Sequence, residues 1–196
     1  MDKEREYLEK YAVSDKVRQL MLCAFTGGTE AEFSLWLKEN GNAWRKELHC
    51  HACVGRAGVG RAVENDTNTP LGDFGMVCAF GIKPDPGAKL PYIEVDDKIW
   101  CCGDDAAYNR IIDIRSLPHD CRGEHMADYA PEYNYGLFFD YNKNCVPGLG
   151  FAIFLHCKGA KPYTGGCIAV DEEAMAEILR AVDENARLCI YEKAEG

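Results

Sequence analysis

His156 closes an apolar run, Phe151-Ala152-Ile153-Phe154-Leu155, and Cys167 opens another, Ile168-Ala169-Val170, directly behind Thr164-Gly165-Gly166. A thiol attacks as its thiolate, and a free one with a pKa near ~8.5 is only a few per cent ionised at neutral pH. An imidazole within reach can take that proton. Glycines ahead of the thiol let backbone N–H groups approach a developing oxyanion where a Cβ would intrude. The loop between the two residues carries Gly and Pro and is short enough to bring its ends together. The pattern suits acyl transfer, with Cys167 as nucleophile, His156 as base and Gly166 as an oxyanion donor. The plainer alternative is a buried structural thiol beside a histidine satisfied at a strand end.

The residues FAIFLH and TGGCIAV resemble the active-site signature of the L,D-transpeptidase catalytic domain (YkuD type), where a strand ends in His and a Ser/Thr-x-Gly-Cys turn follows. Thr69-Pro70-Leu71-Gly72-Asp73-Phe74 is similar to the family's T-P-x-G-x-F segment, with a Gly-rich approach from Val54 to Gly60. Ala79-Phe80-Gly81-Ile82, Leu90-Pro91-Tyr92, Tyr108-Asn109, Gly123-Glu124-His125-Met126 and Tyr141-Asn142 resemble short members in the same order, so the likeness runs from about Val17 to Tyr191.

The resemblance implies a mostly β (β-rich α+β) fold, a YkuD-like sandwich or open barrel with one C-terminal helix after the nucleophile. It implies no cofactor and no metal. The implied partners are peptidoglycan stem peptides, a donor tetrapeptide and an acceptor amine. Cys167 would attack the carbonyl that joins the third stem residue to D-Ala, and His156 would protonate the departing amine. A second stem peptide would resolve the thioester into a 3→3 cross-link, whereas water would make the enzyme an L,D-carboxypeptidase. The backbone carbonyl of Cys157 would orient the imidazole. Thr164, Gly165, Glu124, His125 and Tyr108 are the candidate substrate contacts. Two positions depart from the family: Gly165 stands where many members have His, and Ala169 where many have Arg. The His-to-Cys interval is also shorter than the commonest one. These departures bear on carboxylate recognition and acceptor choice, and they keep a second class open, a wall-peptide-binding module without turnover.

His49-Cys50-His51-Ala52-Cys53 is the metal-like cluster of the chain. On a strand, His49, His51 and Cys53 would share a face, and Cys101-Cys102 could approach in space. No second close pair stands nearby in sequence, and alternation of apolar residues already accounts for the strand.

A formal charge of -10 and the lack of a basic run argue against a nucleic-acid surface. No apolar stretch is long enough for a membrane span. The eleven cysteines favour a reducing environment over a disulfide framework. The resemblance instead implies a cell-wall location, while the first sixteen residues lack a signal peptide's apolar centre. The compartment therefore stays open.

The elements that must position the chemistry are mostly strands. Residues 1–16 read as a charged extension and 17–196 as one catalytic domain. VRQLMLCAF and AEFSLWLKE flank Thr26-Gly27-Gly28-Thr29 as a hairpin, and strands follow at 43–54, 73–80, 135–141, 151–156, 167–170 and 187–192. Residues 82–131 lack a clear period and read as an insertion or lid over the cleft. A helix follows the nucleophile, with Asp171 as cap and Met175, Ile178, Leu179 and Val182 as its apolar face.

Overall fold

The computed structural model describes residues 2–39, 42–60 and 63–193. Its strands in chain order are β1 (Gln19–Gly27), β2 (Glu30–Lys38), β3 (Trp44–Cys53), β4 (Val59–Gly60), β5 (Thr69–Pro70), β6 (Gly72–Phe74), β7 (Met76–Gly81) and β8 (Tyr92–Glu94). They continue as β9 (Ile99–Cys102), β10 (Arg110–Asp113), β11 (Glu124–His125), β12 (Gly136–Phe139), β13 (Phe154–Cys157), β14 (Ile168–Val170) and β15 (Arg187–Glu192). The helices are α1 (Lys3–Ala12) and α2 (Glu172–Ala181). This is the β-rich α+β class expected.

Ten strands form one mixed sheet in the order β6-β15-β1-β2-β3-β14-β13-β12-β7-β8. The hairpin pairs Leu22 with Ser34 and Phe25 with Ala31. β1 is buried on both faces, which explains its unbroken apolar run: Met21 and Cys23 face the main core, and Leu20, Leu22 and Ala24 face outward under α1. The main core joins Phe33 and Leu35 to Leu137, Leu155 and Ile168, with Met175, Ile178 and Leu179 of α2 among them. The sheet thus wraps round one face of α2. Asp171 takes the N-cap position of α2, but its side chain makes no capping hydrogen bond and lies 3.2 Å from Lys158 Nζ instead.

A second helix joins the expected one after the nucleophile. Residues 3–12 of the charged extension form α1, whose Tyr7, Leu8 and Tyr11 cover the outer face of β1 and β15. Its end is held from the sheet. Lys38 Nζ donates to the carbonyls of Tyr11 (2.7 Å), Ala12 (3.0 Å) and Ser14 (2.6 Å), so a nearly buried ammonium satisfies the carbonyls a helix end leaves open. Trp44 Nε1 adds a bond to Leu8 O at 2.9 Å.

The segment 82–131 is ordered. Its β9, β10 and β11 form a separate sheet in the order β10-β9-β11. Ile99, Cys101 and Met126 of this segment pack on Phe80, Phe154 and Cys167 of the large sheet, in a second core. α2 therefore closes one side of β13 and β14, and the 82–131 segment closes the other.

Candidate active site

Strand alternation separates the chemistry from the core. In the parallel pair β13–β14, Leu155 registers with Ile168 and His156 with Ala169. Leu155, Cys157, Ile168 and Val170 enter the core under α2. Phe154, His156, Cys167 and Ala169 take the opposite face, because side chains alternate along a strand and registered partners share a side. His156, Cys167 and Ala169 line an open cleft of about 440 Å³ on that face.

The thiol is held by its neighbours. Cys167 Sγ donates to Ala152 O at 3.2 Å and accepts from Phe154 N at 3.3 Å. Among the described residues no hydrogen bond joins it to His156. Burial pushes the thiol far above its ordinary pKa, and the nearby Glu124 carboxylate raises it further. In this arrangement the thiol is bonded to the backbone and not to the imidazole. Its acceptor, Ala152, has a φ of +55°, the left-handed region that Ala avoids. Buried Asn109 secures that turn: its Oδ1 accepts from Ala152 N at 3.2 Å, and its Nδ2 donates to Tyr141 O and Asn142 O.

Two hydroxyls clamp the backbone of the nucleophile. Thr164 Oγ1 donates to Cys167 O at 2.6 Å, and Thr69 Oγ1 donates to the same oxygen at 3.0 Å. Thr69 also accepts from Gly55 N at 2.8 Å, which ties the Gly-rich approach and the T-P segment to the nucleophile. Gly55 is required there, because a Cβ would lie 2.1 Å from Thr67 O. Gly166, at φ +140°, gives its N–H to Thr164 Oγ1 at 3.1 Å, so in this state that donor serves the turn and not the cleft. Gly165 faces open space, where an added methyl group would meet nothing within 4 Å.

His156 Nδ1 lies 2.7 Å from Cys157 O, which fixes the tautomer with the proton on Nδ1 and leaves Nε2 as the basic atom toward the cleft. Burial lowers the imidazole's pKa, so it is neutral at pH 7. The Tyr133 ring meets it edge-on at 5.5 Å. Tyr133 hydroxyl donates to Glu124, whose carboxyl burial raises to about 7 against an ordinary 4.5.

The candidate substrate contacts divide. Thr164, Gly165 and Glu124 line the cleft. His125 does not: its ring lies tilted against Trp100 at 4.7 Å, with Nδ1 3.0 Å from Asp128 and Nε2 3.0 Å from Asp97 O. Tyr108 sits behind Phe151 and donates to Glu64 at 2.8 Å, outside the cleft. Sequence reasoning missed Arg56 and Lys161, two cations on the cleft wall, and the supporting roles of Thr69 and Asn109 behind it. The T-P motif and Tyr108-Asn109 pair were the available signals. His49, His51 and Cys53 do not gather into a ligand set: His51 pairs with Glu30, and its Nδ1 lies 3.2 Å from Lys158 Nζ.

No family model matches the chain, and no curated protein matches it. Among solved structures the chain is similar to the Ldtfm-avibactam carbamoyl enzyme, at 12% identity and a TM-score of 0.41, over 90% of this chain and 49% of that one. It spans about half the length of that structure, and at this distance no residue role passes from one to the other.

Proposed function

We propose that this protein is a cysteine-dependent acyltransferase of the L,D-transpeptidase type, acting on peptidoglycan stem peptides. The observation that carries the reading is the placement of Cys167 and His156 on one sheet face at one cleft, with the imidazole oriented by Cys157 O. Substrate entry displaces the thiol from Ala152 O, and His156 Nε2 takes its proton as sulfur attacks the donor carbonyl. His156 then protonates the leaving D-Ala amine, and an acceptor amine resolves the thioester into a 3→3 cross-link. Arg56 and Lys161 supply the positive charge for a substrate carboxylate that Ala169 cannot offer.

Glu124 tunes the step. Its ionised form opposes a neighbouring thiolate, and a carboxyl titrating near 7 is neutral in part of the population at working pH. A second reading, a wall-peptide-binding module, is favoured by one observation: the thiol is bonded to Ala152 O and not to His156.

Mass spectrometry of tetrapeptide muropeptides incubated with wild type and with Cys167→Ala separates these readings. Loss of D-Ala with dimer formation, abolished in the variant, is the expected result. Loss without dimers makes the protein a carboxypeptidase. Binding without any turnover, unchanged in the variant, establishes the module and sinks the acyltransferase.

A further inference from the structure

Away from the cleft, at the far end of β9, four side chains converge that the acyl-transfer chemistry does not use. Cys102 Sγ lies 3.2 Å from Asp104 Oδ1 and 3.4 Å from His119 Nε2, and His119 Nε2 lies 3.4 Å from Asp104 Oδ2. Cys121 completes the group, with all four donor atoms within 4.8 Å of one another. Four ligands at zinc bond lengths of about 2.0–2.3 Å stand roughly 3.3–3.8 Å apart, the edge of the tetrahedron they define. The separations among Cys102, Asp104 and His119 already approach that edge.

We propose that Cys102, Asp104, His119 and Cys121 form a structural zinc site. The ligands come as two short pairs, Cys102-x-Asp104 and His119-x-Cys121, one from the end of β9 and the other from the loop before β11. Two thiolates, one imidazole and one carboxylate suit Zn²⁺ and disfavour Mg²⁺ or Ca²⁺, which take oxygen ligands. Four protein ligands leave no open position, which is the pattern of a structural and not a catalytic zinc.

The surroundings are those of a ligand set. His119 Nδ1 is 2.8 Å from Leu117 O, so that nitrogen carries the proton and Nε2 presents its lone pair to the other three groups. Asp104 is oriented by backbone donors from both directions, Ala106 N at 3.1 Å and Arg122 N at 3.2 Å. Binding balances as one Zn²⁺ taken up and two thiol protons released, because zinc takes cysteine as the thiolate.

The site fastens the segment that covers the cleft. Between Cys121 and Glu124 the chain passes so close to β9 that a Cβ at Gly123 would lie 2.1 Å from Cys101 O. Glu124 then registers opposite Cys101, the residue next to the first ligand. A metal tie at 102–121 therefore holds β11 in register and keeps Glu124 at the cleft.

The test is metal content of protein purified under reducing conditions without chelator, measured by inductively coupled plasma mass spectrometry. Stoichiometric zinc is expected in wild type and in Cys167→Ala, so the result does not depend on the acyltransferase reading. Cys102→Ser and Cys121→Ser are expected to lose it, while His51→Ala and Cys145→Ser keep it. Where the serine variants fail to fold, Co²⁺ exchange into wild type gives the answer: thiolate-to-cobalt charge-transfer bands with intense visible absorption report a tetrahedral site bearing sulfur ligands. Metal-free wild type that shows no such bands on reconstitution overturns the proposal. So does stoichiometric zinc that survives the Cys102→Ser/Cys121→Ser double substitution.

Discussion

The two faces of the β13–β14 pair are one residue apart in sequence and opposite in character. The face under α2 carries Leu155, Ile168 and Val170 in a closed core with no titratable demand beyond Cys157. The other carries His156 and Cys167, with Glu124 and Tyr133 against them, each shifted by burial away from its ordinary pKa. The first face is arranged for stability. The second gathers a thiol and a carboxyl whose burial raises their pKa and an imidazole whose burial lowers it, an arrangement that costs desolvation and is typical of functional sites. A two-residue period is enough to keep the two jobs apart.

The comparison breaks first at Cys167. Cys167→Ala is expected to lower acyl transfer on the order of 10⁴-fold or more while leaving the thermal transition nearly in place. An unfolded variant would show that this face, too, is structural. On the opposite face, Leu155→Ala is expected to cost about 2–5 kcal/mol in urea unfolding, because a fully buried side chain leaves a cavity.

Glu124→Gln sharpens the contrast through pH. The folded carboxyl titrates near 7 and the ordinary one at 4.5, so the folded state holds the proton more tightly. Its contribution is complete below 4.5 and is lost as pH rises toward 7, a change of up to about 3 kcal/mol. The variant should flatten that slope and speed alkylation of Cys167 at pH 7–8. An unchanged pH profile would remove Glu124 from the account. Asn109→Ala, which releases the Ala152 turn, should cost about 1–3 kcal/mol, since it strands buried backbone groups. Gly165→Ala, facing open space, should change stability by less than about 0.5 kcal/mol. Guanidinium unfolding measures both.

Much of this was legible where the information is local. The Gly27-Gly28 hairpin, the period of β2 and the apolar stripe of α2 depend on neighbours within a few residues, whereas placing His156 and Cys167 on one face needs the register between β13 and β14. What was illegible depends on distant partners. α1 reads as a charged extension because its apolar face is only Tyr7, Leu8 and Tyr11, and its reason to fold lies in β1 and β15. The direction of the thiol is set by Ala152 and Asn109, a turn that no local pattern announces. The ligand pairs around Cys102 and Cys121 lack the C-x₂-C spacing that marks common zinc sites, whereas the His49–Cys53 strand had the right residue types without converging.

β15 pairs in parallel with β1, Leu22 beside Cys189. Because a ribosome delivers the chain from its N-terminus, the β1–β2–β3 meander can assemble early with the outer edge of β1 bare. Roughly 160 residues separate the end of β1 from the start of β15 (187 minus 27), so at 5–20 residues per second that edge waits roughly ten to thirty seconds for its mate. An unpaired apolar edge is where a nascent chain joins the wrong neighbour. In this topology a strand made late, β15, seals one made early, β1.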